Sequence, residues 1–165
     1  MGWFGKKGDS QSEELVPLTN ELIIEALKAK NYRWSLDSDG DICGNWSEER
    51  HAIWFLRQGK EKEVLLIRYQ HSALFDAEQL SSLYEFCNDW NRQKFFPKSL
   101  VVKTESGRLR LIGELTVDLE YGVSRKQLAN FISCGISTSL RMGESADEEI
   151  KGKTLAPAEF RGMTH

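Results

Sequence analysis

Apolar residues recur along this chain with two different periods, and the switches between them mark out the elements. From Asn20 to Lys30, Leu22, Ile23, Ala26 and Leu27 share one helical face. Pro17 precedes this stretch and Thr19 or Asn20 can cap it, so a first helix is predicted there. Four short β-prone runs follow: Tyr32 to Leu36, Ile42 to Trp46, Ala52 to Arg57 and Val64 to Tyr69. The polar turns Asp37-Ser38-Asp39-Gly40-Asp41, Ser47 to Arg50 and Gln58 to Lys62 join them, and such short connections predict antiparallel pairing. A second helix is predicted over Ala77 to Asn91 behind Asp76, with Leu80, Leu83, Tyr84, Cys87 and Trp90 at the spacing of a core-facing stripe. Beyond Pro97 the period returns to two. Leu100 to Thr104 and Leu109 to Leu119 flank a Glu105-Ser106-Gly107 turn. In the longer arm Leu109, Leu111, Leu115, Val117 and Leu119 alternate with Arg110, Glu114, Thr116 and Asp118, which predicts one buried and one polar face. Gly113 falls on the buried side, at a place for a bulge or a close helix approach.

A third helix has the most explicit start. Ser124 and Gln127 form a capping box, and Val123 and Leu128 a hydrophobic staple. Leu128, Phe131, Ile132, Ile136 and Leu140 supply its buried stripe, with Gly135 and Ser139 on or near it. The expectation is a single α+β domain over residues 17–143: an antiparallel sheet with helices on one face, in the order α-ββββ-α-ββ-α. Polar residues 1–16 and 144–165 are expected to be flexible tails.

Composition narrows the function more than it names it. The chain has 165 residues and a formal net charge of -3, which argues against a nucleic-acid binder carrying a basic stripe. No apolar run approaches the ~20 residues of a membrane span. The first residues lack the apolar core of a secretory leader, and Lys6 stands where N-myristoylation wants Ser or Thr. Trp3 and Phe4 read as a frayed tail or as a short hydrophobic anchor. Cys43, Cys87 and Cys134 are widely spaced and odd in number. They are expected to be reduced, in a cytoplasmic protein.

Candidate chemistry is sparse. Asp37, Asp39 and Asp41, with Glu48 further on, resemble a calcium loop, but Ile42 occupies the position that needs Gly, so an acidic hairpin turn is expected. Cys43, Cys87, Cys134, His51 and His71 lack zinc-site spacing. Cys87 and Cys134 fall on or near apolar helix faces, which argues against a nucleophile. The run Arg92, Lys94, Phe95, Phe96, Lys98 is read as a helix end whose aromatics pack under the sheet, in preference to a nucleic-acid stacking surface. In Cys87-Asn88-Asp89-Trp90-Asn91, Trp90 is expected to anchor the core and Asn91 to cap the helix. Asn88 and Asp89 are left as candidates to bond the following loop or a ligand.

Several segments together resemble the YbjN domain family, described as bacterial sensory transduction regulators, in its actinobacterial form. They are Ala26 to Trp34, Asp39-Gly40-Asp41, Trp54-Phe55, Asn88 to Arg92 with Pro97-Lys98, Val117 to Val123, and Leu128 through Ser133-Cys134-Gly135. The resemblance covers about residues 18–143. It implies a fold similar to type III secretion chaperones and a non-enzymatic binding or regulatory role without a cofactor, with a protein or extended segment as partner. It brings no catalytic residues. Asn88, Asp89, Trp90, Asn91, Trp54 and Phe55 are its signature positions and the candidates for binding. Two other readings stand beside it: a small-molecule sensor or enzyme with a pocket near Asn88, Asn91 and Asp118, and a dimerising domain.

Overall fold

The computed structural model describes residues 13–150 and 153–154. Its elements are α1 (Asn20–Ala29), β1 (Ser35–Leu36), β2 (Ile42–Trp46), β3 (His51–Gln58), β4 (Val64–Gln70) and β5 (Ala73–Leu74). A 3-10 turn (Ala77–Gln79) then leads into α2 (Leu80–Gln93), β6 (Lys98–Lys103), β7 (Leu109–Asp118), α3 (Arg125–Glu149) and β8 (Lys153–Thr154). Six strands form one sheet in the order β1-β2-β3-β4-β7-β6, and β5 and β8 pair as a small ribbon. Every pairing is antiparallel. The α+β architecture is therefore the one the periodicity predicts, with the ribbon added.

The two periods become the two sides of the sheet. Ile42 on β2, Ile53 and Phe55 on β3, Leu65, Ile67 and Tyr69 on β4, and Leu111 and Leu115 on β7 face the helices and are all buried. They pack with Ile23 and Leu27 of α1, Leu83 and Trp90 of α2, and Leu128 and Ile132 of α3 in one core. Thr19 caps α1 by accepting from the Leu22 N–H at 3.1 Å. The capping box of α3 forms as expected: Gln127 N donates to Ser124 Oγ, and Ser124 N donates to Gln127 Oε1.

Small residues set how closely α3 lies on the sheet. A Cβ added to Gly135 would come within 2.7 Å of Ile67 Cδ1, and one added to Gly143 would overlap the Tyr69 hydroxyl. With the fully buried Ser139 between them, they form an i, i+4, i+8 row where the helix crosses β4. On β7, Gly113 sits beneath Met142 and Pro97, so a helix approach rather than a bulge explains it.

Four expectations need correction. The first strand is shorter than Tyr32 to Leu36, since only Ser35–Leu36 pair with β2. Tyr84 is 58% exposed; Phe86 takes its place beside Leu83, Cys87 and Trp90 because the helix turns its i+6 rather than its i+4 position inward. The helix α3 does not stop before Glu144 but runs to Glu149, because Met142, Ala146 and Ile150 repeat at a spacing of four and are buried. At the other end, Val16 is held to Val123 by two backbone hydrogen bonds, so the ordered chain begins before residue 17. The remaining tail positions, Trp3 and Phe4 included, lie outside the described residues.

Candidate functional site

The Asn-Trp motif is built into the helix-to-strand junction. Trp90 Nε1 donates to the Pro97 carbonyl at 3.0 Å while its ring packs near that of Phe86. Asn91 does not cap α2, which ends at Gln93. Its side chain instead accepts from Ser99 N at 2.8 Å and donates to Ser99 O at 3.0 Å. The amide thereby copies a neighbouring strand and satisfies one residue of the outer edge of β6. Cys87, whose thiol burial pushes up in pKa, accepts from Ser99 Oγ in the same corner. Asn88 and Asp89 point away from this corner and are exposed. Asp118 is remote, because Ser99 pairs with Gly113 and Asp118 lies five positions further along β7, about 17 Å. The pocket expected near Asn88, Asn91 and Asp118 therefore has no common centre. A cavity of about 400 Å³ opens elsewhere, between Leu15–Leu18, Glu61–Glu63 and Leu119–Gly122.

The other candidate pair divides. Phe55 is only 1% exposed and belongs to the core. Trp54, its neighbour, points to the opposite side of the sheet, as strand geometry requires. No described helix packs there. The strand register aligns Ser35, Cys43, Trp54, Arg68, Glu114 and Lys98 as one row across all six strands. Trp54 Nε1 donates to Asp37 Oδ2 at 3.1 Å. The other oxygen of Asp37 accepts from the Asp39 and Asp41 backbone N–H groups, so the acidic turn uses this carboxylate to hold itself and Trp54. Slight burial works to raise the Asp37 pKa, but these donors outweigh it and hold the group below its usual value. Arg68 Nη2 reaches Glu114 Oε1 at 2.8 Å and Lys98 Nζ reaches Oε2 at 2.7 Å. Partial burial would raise the Glu114 pKa, but the two cations overcome that and keep it ionised. Flanking rows carry Leu56 and Leu66 on one side and Ile112 and Leu100 on the other. At one end the Arg108 and Arg110 side chains donate to the Leu74 and His71 carbonyls, which brings the β5–β8 ribbon alongside.

A third grouping was invisible to sequence spacing. His51 (start of β3) and His71 (after β4) meet with ring centroids 4.7 Å apart, and His71 Nε2 faces Asp147 Oδ1 of α3 at 3.2 Å. These are the three side chains among the described residues close enough to share a metal ion. Their hydrogen bonding argues against a metal. His51 Nδ1 accepts from Ser72 N and His71 Nδ1 accepts from Ala73 N, both at 3.1 Å. Each ring then carries its hydrogen on Nε2, and a metal there would need an imidazolate. Burial, reinforced by His71, lowers the His51 pKa to about 4 against the upward pull of Asp147 and Glu49. Burial would raise the Asp147 pKa, but His71 and then His51 outweigh it and lower it. The Tyr69 hydroxyl lies in the same region, fully buried, with no hydrogen-bond partner among the described residues.

The basic-aromatic run also departs from expectation. Phe95 is 96% exposed and Phe96 45%, so neither packs under the sheet. The Trp90 ring and Pro97 already fill the space beneath the junction.

Comparison with known proteins settles the lineage. The family model YbjN, described as "Putative bacterial sensory transduction regulator", matches residues 19–148, most of the chain. The chain belongs to the YbjN family. A solved YbjN structure, titled "Crystal structure of YbjN, a putative transcription regulator from E. coli", is similar in fold. Its TM-score is 0.68 at 11% sequence identity, covering 86% of this chain and 100% of that one. At that identity the likeness speaks for the fold alone. No curated protein matches this chain. No described helix is long and apolar enough to cross a membrane.

Proposed function

We propose that this YbjN-family protein is a non-enzymatic, chaperone-like binding or regulatory module. It holds an extended segment of a partner protein on the helix-free face of its sheet and works in the cytoplasm. The observation that carries the reading is the make-up of that face. An antiparallel sheet open to water normally shows it polar side chains. Here the half-buried Trp54, Leu56 and Leu100 share it with the Arg68–Glu114–Lys98 network, while Leu66 and Ile112 in the same rows are already buried. Apolar area of this kind, threaded by a fixed row of charges, suits a peptide that offers apolar side chains in alternation with polar ones. The family's description as a regulator of sensory transduction is compatible with such a role. The sensor reading is weaker because Asn88, Asn91 and Asp118 do not converge.

The reading is tested by affinity capture from the native cell with the full chain, with Trp54→Ala and Asn88→Ala as paired variants. A specific polypeptide retained by the parent and Asn88→Ala proteins but lost with Trp54→Ala supports it. Equal retention by all three, or none, removes it.

A further inference from the structure

We infer that the loop closing α2 is a docking tip for an anionic lipid surface, with Phe95 as the inserting side chain. The inference rests on the junction between α2 and β6 and is separate from the helix-free sheet face. Phe95 is 96% exposed and the adjacent Phe96 45%, at the end of a helix whose own apolar stripe is already buried. A Phe so exposed has no neighbouring rim or pocket, so it stands as a protrusion. Scattered exposed apolar residues are ordinary, but this pair has cations beside it in the chain. Arg92 and Lys94 are exposed and lie within three residues of Phe95; Lys98 is exposed too, but its ammonium is paired with Glu114. Glu114, the carboxylate that holds Lys98, is also bound by Arg68. Lys94 Nζ stands 6.0 Å from the centre of the Trp90 ring, which keeps its charge beside the tip.

An exposed apolar point flanked along the chain by Arg92 and Lys94 matches an anionic bilayer better than the alternatives. A bilayer supplies a deformable apolar medium at the depth of a side chain and negative charge immediately above it. A protein partner would have to bring a pocket of its own shape. A single-stranded nucleic acid is held by a positively charged groove that tracks its backbone, and the chain's net charge of -3 argues against one. One inserted aromatic with a few cations gives weak, reversible binding, which a partner or a second signal could strengthen.

The test is flotation of the full chain with two vesicle types, phosphatidylcholine alone and phosphatidylcholine with phosphatidylglycerol. Binding is expected to the anionic vesicles only, and to weaken as salt is raised. Phe95→Ser should raise the lipid concentration for half-maximal binding about ten-fold or more. The double variant Arg92→Glu/Lys94→Glu should weaken binding comparably. Because Phe95 is on the surface, Phe95→Ser should unfold at the parent temperature, which separates lost binding from lost folding. A Trp3→Ser/Phe4→Ser variant should bind as the parent does. The inference is overturned if the parent binds neither vesicle, if Phe95→Ser binds undiminished, or if only the Trp3/Phe4 variant loses binding. It is also overturned if the tip binds single-stranded RNA while ignoring vesicles.

Discussion

The buried histidine pair makes acid stability the sharpest physical expectation from this structure. In the native state His51 is kept neutral: its Nδ1 accepts the Ser72 N–H, and burial and His71 lower its pKa from 6.5 to about 4. A proton on Nδ1 would set two donors against each other. The folded pKa is lowered, so the unfolded chain binds the proton more readily. The contribution to stability is therefore fully present above the unfolded value near 6.5 and is lost as pH falls from there towards 4. The full shift corresponds to about 3 kcal/mol, of which about 2 kcal/mol is gone by pH 5. Water reaching the cluster beside the half-exposed Asp147 screens part of this, so about 2 kcal/mol over the whole range is a fair lower expectation. Asp147 adds to acid loss in a lower window, below 3.8, where its depressed pKa takes over. The assay is urea unfolding from pH 7.5 to 4.5 on the parent and on His51→Gln, which keeps an acceptor for Ser72 N but does not titrate. The parent should lose stability faster than the variant as pH falls from 6.5. If the two fall in parallel, His51 is not a buried neutral group and the reasoning fails.

Three further expectations follow from packing and hydrogen bonding. Tyr69→Phe removes a buried hydroxyl that has no described partner, so thermal unfolding should show unchanged or higher stability; a loss above about 1 kcal/mol would reveal a missed partner. Gly143→Ala should cost about 1–3 kcal/mol by forcing α3 off Tyr69, and circular dichroism melts would expose a tolerant site as a misplaced helix. Asn91→Ala should cost about 1–2 kcal/mol by releasing both Ser99 backbone groups, whereas Asn88→Ala and Asp89→Ala should each stay within about 0.5 kcal/mol in denaturant titrations.

What could be read from the chain before its structure divides along a physical line. Elements signalled by local chemistry came through. The Ser124–Gln127 box needs only neighbouring residues, and alternation along Leu109 to Leu119 needs only strand geometry. The family itself was legible in segments such as Asn88 to Arg92. Features that depend on which elements meet were not. His51, His71 and Asp147 come from β3, the end of β4 and the last turns of α3, and no spacing rule links them. Trp54 and Phe55 are adjacent in sequence, and only the sheet's placement of its helices decides which one is buried. Asn91 looked like a cap because caps are local. Its use as a substitute strand for Ser99 depends on β6 lying beside α2. Hydrophobicity alone places Phe95 and Phe96 under the sheet, but Trp90 and Pro97 fill that junction.

The claim that the helix-free sheet face holds a partner segment is tested most directly by site-specific photocrosslinking in the native cell. A photoreactive residue would be placed at Leu56 or Thr116, on that face, and for comparison at Asn88, on the outer side of α2. The account expects a discrete protein adduct from the sheet positions, abolished by Trp54→Ala, and none from Asn88. Adducts from Asn88 alone, or the same adducts from every position, would contradict it.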